Sequence, residues 1–478
     1  MTAGPIHWRP RTLQEALGII EQLRQVVAEQ HAQIAALQEQ VAELQERLGQ
    51  NSQNSSRPPS ADGPGVIRPT KRTPSGRKPG GQPGHEGHQR ELLGEAEVDE
   101  IVRLKPRRCR RCGSRLHGAD AAPRRHQVME LPPVRPHVTE YQLHTLSCAR
   151  CRRTTTASLP EGVPRSGFGP QVQAVAAVCT GVYHLSRRTT VGLMADMFGV
   201  PMSLGALSAC EQAVSEAVAK PVAEAHVYVQ QQEDVTYADE TGWRERRRRA
   251  WLWVAVSPLV TVFLVQAGRS RAAAQVLLGH CLKAILITDR CAVYGQWAVD
   301  QRQLCWAHLL RDFTAFTERW GPAAVVGQAL LAEAKTMFAQ WDRVRAGTLS
   351  RRGFWLAMRP LRKRVEALLR QGEAVADAKT ARTCRNILKL RPALWTFIDL
   401  PGVEPTNNTA ERAARRAVLW RKRSFGSHSA AGSRYAERML TVAATLTQQR
   451  RNVLDYLTQA TTARLLRRPA PSLLPDVA

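Results

Sequence analysis

The run Ala284-Ile285-Leu286-Ile287-Thr288-Asp289 is almost entirely apolar and ends in a carboxylate. A run of this kind is typical of a strand that is buried on both faces of a sheet. Upstream, Val235-Thr236-Tyr237-Ala238-Asp239 predicts a short strand that ends in the same residue type. Two β-rich runs joined by Ser257-Pro258-Leu259 predict a hairpin between them, and a helical pattern over 270–281 follows. Gln303-Leu304-Cys305 predicts a fifth strand.

The order of these elements predicts an α/β domain with ribonuclease H-like topology. In that topology the first and fourth strands are neighbours, so Asp239 and Asp289 are expected to lie together at one edge of the sheet. Adjacent carboxylates repel each other unless cations neutralise them. Oxygen ligands suit Mg2+ or Mn2+, and a pair of such ions supports phosphoryl transfer. The sequence therefore predicts a metal-dependent phosphoryl-transfer site.

A site of this kind needs a third acidic group, and Glu411 is the best candidate. It lies in Asn407-Asn408-Thr409-Ala410-Glu411-Arg412, which begins a predicted helix. The alternative is structural, because Asn408 as N-cap and Glu411 three residues later also fit a capping box. The two aspartates already placed at strand ends favour catalysis. Glu240 ranks lower, because strand alternation places it on the face opposite to Asp239.

The catalytic domain is predicted to cover residues 233–432. Within it, residues 320–400 are rich in Ala, Leu and Arg and predict an all-helical insertion. His308 has two open interpretations: it approaches the site from the junction of strand and helix, or it packs through a hydrogen bond. Residues 433–478 predict one last amphipathic helix, over about 434–457, and a tail.

The 478-residue chain has a formal net charge of +27. This excess of Lys and Arg favours a polyanionic partner such as nucleic acid. Apolar residues make up 43% of the sequence, which excludes a wholly disordered chain. No secretory signal and no membrane-spanning run are expected. The ten cysteines are therefore predicted to lie in a reducing compartment, where Cys-x-x-Cys pairs indicate metal binding rather than disulfides.

Residues 1–50 predict a coiled-coil helix that forms a homo-oligomer, most simply a parallel dimer. The alternative is a single amphipathic helix packed on its own protein. A flexible basic linker, rich in Ser, Pro, Gly, Lys and Arg, is expected over 51–92. The heptad positions a and d carry mainly apolar residues, namely Leu13, Ile20, Val27, Ile34, Val41 and Leu48 at a, and Ala16, Leu23, Gln30, Leu37 and Leu44 at d.

A four-cysteine module is predicted over residues 93–160. The pairs Cys109-x-x-Cys112 and Cys148-x-x-Cys151 can each supply two ligands to a tetrahedral Zn2+ site. Redox-active thiols are the alternative. The arginines that flank both pairs favour a zinc ribbon that faces DNA, and the two assigned to DNA binding are Arg110 and Arg111.

Two further regions are candidates for contact with double-stranded DNA. Residues 161–232 predict helices with a helix-turn-helix-like pattern, for which ordinary packed helices are an equal alternative. The other region is a basic cluster after Glu411, whose charge density beside a metal site suits phosphate binding. A merely solvated basic face is the alternative there. The cluster consists of Arg412, Arg415, Arg416, Arg421, Lys422 and Arg423.

These motifs together resemble the insertion sequence 66 family of bacterial DDE transposases. The resemblance implies a cytoplasmic transposase that recognises the terminal inverted repeats of its own element, cuts the strands and joins the ends to target DNA. It also implies accessory proteins encoded beside the transposase. The similar segments are Asp239-Glu240-Thr241-Gly242-Trp243, the strand ending at Asp289, Cys305-Trp306-Ala307-His308, the run 407–412, the run 80–88 and the cysteine module.

By this resemblance, Asp239, Asp289 and Glu411 correspond to the acidic triad that holds Mg2+ or Mn2+, and the four cysteines correspond to zinc ligands. Family members often have Gly-Tyr directly after the second aspartate, whereas Arg290-Cys291 follows here and the tyrosine is Tyr294. The competing interpretation is a non-catalytic zinc-ribbon, coiled-coil regulator that binds DNA. It explains the charge, the heptads and the cysteines, but not the carboxylates at two strand ends.

Overall fold

The structure is a computed structural model that describes residues 12–55 and 91–475. Most of the predicted linker, including the run 80–88, lies outside the described residues. The described residues fall into two compact units, one within Met1–Val66, Thr139–Asp196 and Val200–Ala478, and the other within Ile67–Val138 and Met197–Gly199.

The N-terminal helix α1 spans Leu13–Gly49. Thr12 caps it, because its side-chain oxygen accepts a hydrogen bond from the Glu15 N–H at 3.2 Å. The large apolar heptad side chains of α1 are exposed; Val27 and Ile34, for example, are 48% and 51% exposed. The apolar stripe of α1 is therefore not part of the core formed by the described residues.

The cysteine segment contains little regular structure. Residues Glu95–Glu97 form a 3-10 turn in one unit. In the other unit, strands β1 (Thr145–Ser147) and β2 (Thr154–Thr156) pair antiparallel around the second Cys-x-x-Cys motif. All side chains of these two strands are exposed.

Four helices follow the cysteine segment. They are α2 (Pro170–Gly181), α3 (Arg187–Phe198), α4 (Leu204–Ala217) and α5 (Ala219–Gln231). Ala174 of α2, Val214 of α4 and Val229 of α5 are completely buried and belong to the same hydrophobic core as the central sheet. Helices α2, α4 and α5 thus pack around the sheet. None of the helices in the described ranges is long and apolar enough to cross a lipid bilayer.

A five-stranded mixed sheet lies at the centre of this α/β core. Its elements in chain order are β3 (Val235–Glu245), β4 (Arg248–Val256), β5 (Thr261–Gln266), helix α6 (Arg271–Leu278), β6 (Ile285–Thr288) and β7 (Arg302–Leu304). The spatial order is β5-β4-β3-β6-β7. Pairing is antiparallel between β3, β4 and β5 and parallel between β3, β6 and β7. The strand with Asp239 therefore lies beside the strand that precedes Asp289, as predicted.

Strand β3 is longer than predicted and does not end at Asp239. Its antiparallel pairing with β4 continues to Glu245, whereas its parallel pairing with β6 stops at Tyr237. A tight turn with Arg246 at φ +54° joins β3 to β4, and this turn contains no Gly, Asn or Pro to mark it in the sequence. Asp239 thus lies just past the end of the parallel ladder, as does Asp289.

The segment between the sheet and Glu411 is helical and has its own hydrophobic core. Its helices are α7 (Trp306–Thr317), α8 (Pro322–Arg345), α9 (Arg351–Glu373), α10 (Ala378–Leu388) and α11 (Thr396–Asp399). Phe313, Leu330 and Phe354 are buried together in this core. Ile287 of β6 also belongs to it, so the insertion packs against the sheet.

The C-terminal region contains α12 (Asn408–Ser424), α13 (Ala430–Gln448) and α14 (Val453–Leu465). The single last helix predicted over about 434–457 is wrong. The chain breaks at Arg450, which has φ +57°, and Asn452 then caps α14. Hydroxyls of α13 accept hydrogen bonds from backbone N–H groups of the edge strand β5, at 3.0 and 3.1 Å, so α13 covers that edge.

Candidate active site

Asp289 and Glu411 both lie within electrostatic reach of Asp239. Burial raises the pKa of Asp239 well above its usual value, and repulsion from Glu240, Asp289 and Glu411 raises it further. The Asp239 carboxylate accepts one hydrogen bond, from the Glu240 N–H at 2.9 Å. The Cys291 N–H donates to Asp289 Oδ1 at 2.8 Å. The ionised form of Asp239 is therefore disfavoured unless a cation compensates it.

Glu411 does not take part in a capping box. The N-cap residue of α12 is Asn407, whereas the capping box needs Asn408 in that position. No described side chain forms a capping hydrogen bond at this end of α12. Glu411 Oε1 and His308 Nδ1 are both buried, have no hydrogen-bond partner among the described residues, and lie 3.7 Å apart. Buried polar atoms without partners are costly, so this pair of atoms is suited to a ligand.

Asn407 fixes the start of α12 beside Asp239. Its side-chain amide donates to the carbonyl oxygen of Ala238 at 2.8 Å, and its backbone N–H donates to Cys305 Sγ at 3.1 Å. No role for Asn407 is predicted from its sequence context, in which the pair Asn407-Asn408 is the one available signal. This anchoring explains how Glu411, far along the chain, reaches the sheet edge.

Among the described residues, Cys305, His308 and Glu411 are the one group of His, Cys and acidic side chains whose potential ligand atoms all lie within 4.8 Å of one another, and Asp239 and Asp289 are not part of it. Burial raises the pKa of Cys305 to about 11, so its thiol stays protonated near neutral pH. Burial and, to a smaller extent, the charge of Arg311 lower the pKa of His308. Nearby carboxylates raise it, but the net shift is downward. The imidazole is therefore neutral and, with Glu411, remains available to a cation. Of the two interpretations of His308, the structure favours proximity to the site.

Glu240 ranks below Asp239 as a candidate because strand alternation predicts opposite faces for the two side chains, but it is buried and hydrogen-bonded. Its side chain is 1% exposed and pairs with Arg269 at 2.5 Å, and it accepts a hydrogen bond from the Tyr294 hydroxyl. Burial and the nearby Asp289 raise the pKa of Glu240. Glu240 is thus a buried carboxylate near Asp239 and Asp289. Tyr294, which lies further from Asp289 in the sequence than the tyrosine often found in the family, contacts it.

The side chains predicted to bind DNA differ in their surroundings. Arg412, Arg415, Lys422 and Arg423 are exposed on α12, Arg416 is half-buried, and Arg110 and Arg111 are exposed in the cysteine segment. Arg421 instead donates a hydrogen bond to the carbonyl oxygen of Gly242 in β3. The guanidinium of Arg421 therefore stabilises the contact between α12 and the sheet.

Both Cys-x-x-Cys motifs adopt the same local turn. The residue after the second cysteine donates its N–H to the carbonyl of the first, from Gly113 to Cys109 at 3.0 Å and from Arg152 to Cys148 at 2.8 Å. These donors have φ values of +75° and +60°. Each turn thus holds its two thiols on one short loop.

Hydrogen bonds favour the thiolate form in both turns. Those from the side chain and backbone of Ser114 lower the pKa of Cys112 to about 7. A backbone hydrogen bond from Cys151 likewise lowers the pKa of Cys148. Thiolates are the metal-binding form of cysteine, so the residues of each turn fit a zinc ligand pair.

Two protein-family models match this sequence. The model described as the transposase IS66 family matches residues 165–435, which is more than half of the chain and includes Asp239, Asp289 and Glu411. A model for a family of unknown function (DUF6444) matches residues 5–91. The curated proteins contain no match to the sequence.

Proposed function

The chain belongs to the transposase IS66 family, and from this membership we propose that it is the DNA transposase of a bacterial insertion sequence. It binds the terminal inverted repeats of its element, cleaves DNA strands there and joins the ends to target DNA in the cytoplasm. The observation that carries this proposal is the buried Asp239, which lies close enough to both Asp289 and Glu411 for their charges to raise its pKa.

The proposal includes a ribonuclease H-like catalytic core. The order β5-β4-β3-β6-β7, with β3, β4 and β5 antiparallel and β6 and β7 parallel to β3, supports it. Both aspartates lie just past the parallel pairing of β3 and β6, and α12 supplies the third acid. Such a core holds the acids on rigid elements, which suits catalysis that depends on positioning.

A pair of Mg2+ or Mn2+ ions is the proposed cofactor, and Asp239, Asp289 and Glu411 are the residues that would hold it. The unpartnered Glu411 Oε1 and the destabilised charge on Asp239 fit a hard cation. When bound, the cations would lower the pKa of the attacking hydroxyl and would stabilise charge on the phosphoryl oxygens. His308 Nδ1 lies 3.7 Å from Glu411 Oε1, and an ion pair with Arg269 holds the buried Glu240 in place.

The exposed cations of α12 and of the cysteine segment are proposed to bind DNA phosphates. Arg412 and Arg415 lie on α12 together with Glu411, so DNA that is bound by these arginines would lie close to the acidic residues. Contacts of this type make affinity strongly salt-dependent. Zinc, held by the four cysteines, is proposed to stabilise the segment that carries Arg110 and Arg111. Accessory proteins of the same element are proposed as further partners.

A nicking assay tests the proposed activity. The substrate is a supercoiled plasmid that carries the DNA flanking the gene, including its matching inverted repeats. We expect the wild-type protein to nick this plasmid at the repeats in Mg2+ or Mn2+ and to leave it intact in EDTA. Binding to the repeats without nicking in either cation would favour the regulator interpretation.

The exposed stripe of α1 is proposed to form a parallel coiled coil with a second copy of the chain. Lysines at the core positions in Val27→Lys/Ile34→Lys bury charge in the seam, so this variant is expected to be monomeric. The matched control Gln25→Lys/Ala32→Lys adds the same charge on the outer face and is expected to keep the wild-type mass. Light scattering after size-exclusion chromatography measures both. A core variant with unchanged mass would contradict the coiled coil.

A further inference from the structure

A cavity of about 260 Å³ lies beside Asp289. Three arginines line it, Arg269, Arg290 and Arg311, which we call the arginine pocket. His308 also lines the cavity, so the pocket adjoins the proposed cation site. None of the three arginines belongs to the basic cluster on α12.

The three guanidinium groups differ in how they are neutralised. Arg290 pairs with Asp312 at 2.5 Å, and Arg269 pairs with Glu240 at 2.5 Å. Arg311 forms no hydrogen bond or ion pair with any residue that the structure describes. The arginine pocket therefore holds two guanidinium groups in fixed positions and one that is free to bind an anion.

The position of Arg311 relates the pocket to the proposed chemistry. Arg311 lies on α7 three residues after His308, which places both on one face of the helix. Its charge contributes to the lowered pKa of His308, so the two side chains are close. An anion bound by Arg311 would thus lie in the same cavity as Asp289 and beside the proposed cation site.

We propose that the arginine pocket binds a backbone phosphate of the DNA strand adjacent to the phosphate that is cleaved, with Arg311 as its main contact. This inference rests on the proposed function. The cleaved phosphate belongs at the acids, so the phosphate in the pocket is a neighbour on the same strand. A planar guanidinium binds phosphate through two parallel hydrogen bonds, and this would fix the strand relative to Asp289.

The test compares Arg311→Ala and Arg311→Lys with Arg345→Ala, an exposed arginine at the end of α8. Binding of a fluorescent duplex of the element's end is measured over a range of salt concentrations in Ca2+. Arg311→Ala is expected to reduce the slope of log affinity against log salt by about 0.9, the value for one phosphate contact. Nicking at saturating DNA is expected to fall roughly 10- to 100-fold.

The other variants separate charge from geometry. Arg311→Lys is expected to keep the wild-type salt slope and to nick DNA more slowly than wild type. Lysine retains the positive charge but cannot form the two parallel hydrogen bonds of a guanidinium. Arg345→Ala is expected to match wild type in nicking. All variants are expected to keep the wild-type melting temperature. If Arg311→Ala melts at a lower temperature, the nicking rate of Arg311→Lys is used to test the inference, and a wild-type rate would contradict it.

The outcomes also distinguish this inference from the proposed function. If the wild type nicks and Arg311→Ala nicks equally fast with an unchanged salt slope, the pocket does not bind DNA phosphate and the inference is wrong. If the wild type fails to nick, the proposed function fails, and the salt slope alone decides whether Arg311 contacts DNA.

Discussion

Asp239→Asn is expected to reduce nicking at the element's ends by about 10,000-fold, a loss typical of removing one member of a catalytic unit. Asparagine keeps the shape of the side chain but removes the charge that the cation requires. Binding to the ends should persist, because the basic surfaces are unchanged. The control Asp342→Asn, an exposed position on α8, is expected to nick like wild type. Nicking by Asp239→Asn at a rate close to wild type would show that Asp239 is not a catalytic residue.

The same substitution is expected to stabilise the metal-free protein at neutral pH. The pKa of Asp239 is raised above its ordinary value of 3.8, so the folded state binds a proton more tightly than the unfolded state. Stability is then lost as the pH rises above the unfolded pKa, and asparagine avoids this loss. The melting temperature of Asp239→Asn should exceed that of wild type at pH 7. The difference should vanish below the unfolded pKa. A lower melting temperature at pH 7 would contradict the buried repulsion.

Cys109→Ser is expected to abolish zinc binding. The purified wild-type protein should contain about one zinc per chain, as a single site with four thiolates requires. The effect is large, because zinc binding to small structural sites has an apparent free energy of about 10–16 kcal/mol. Elemental analysis of metal-replete protein measures the zinc content. Cys281→Ser, an exposed cysteine outside both motifs, is the matched control and should retain zinc.

Two results would count against the zinc site. Metal-replete wild-type protein without zinc would remove it, and the paired thiols would then be candidates for redox chemistry. Zinc retained by Cys109→Ser at the wild-type level would show that the metal lies elsewhere. The local turns at Cys109 and Cys148 support the proposal. Both turns have the same backbone hydrogen bond, and in each turn the pKa of one cysteine is lowered.

The neighbouring positions of Asp239 and Asp289 were predictable from the sequence. A strand buried on both faces has a nearly continuous apolar run, and the order of elements limits which strand lies beside it. The run 284–289 met both conditions. The length of β3 was not predictable in the same way. It depends on the pairing partner β4 and on a turn at Arg246, which a sequence pattern for tight turns does not reveal.

The details of the site depend on contacts between distant segments. Strand alternation gave no reason to expect that Arg269 and Tyr294, both far along the chain, would enclose Glu240. Likewise, a capping box at Glu411 is a local rule. The structure replaces it with an anchor from Asn407 to the carbonyl of Ala238, which no local pattern encodes.

Calorimetric titration with Mn2+, of wild type and of Glu411→Gln, addresses most directly whether three acids from distant segments share one cation site. We expect the wild type to bind Mn2+ and Glu411→Gln to bind it at least about 10-fold more weakly, as is typical when a group that supports a metal site is removed. Equal Mn2+ affinity in the two proteins would contradict the shared site and, with it, the proposed route of DNA cleavage.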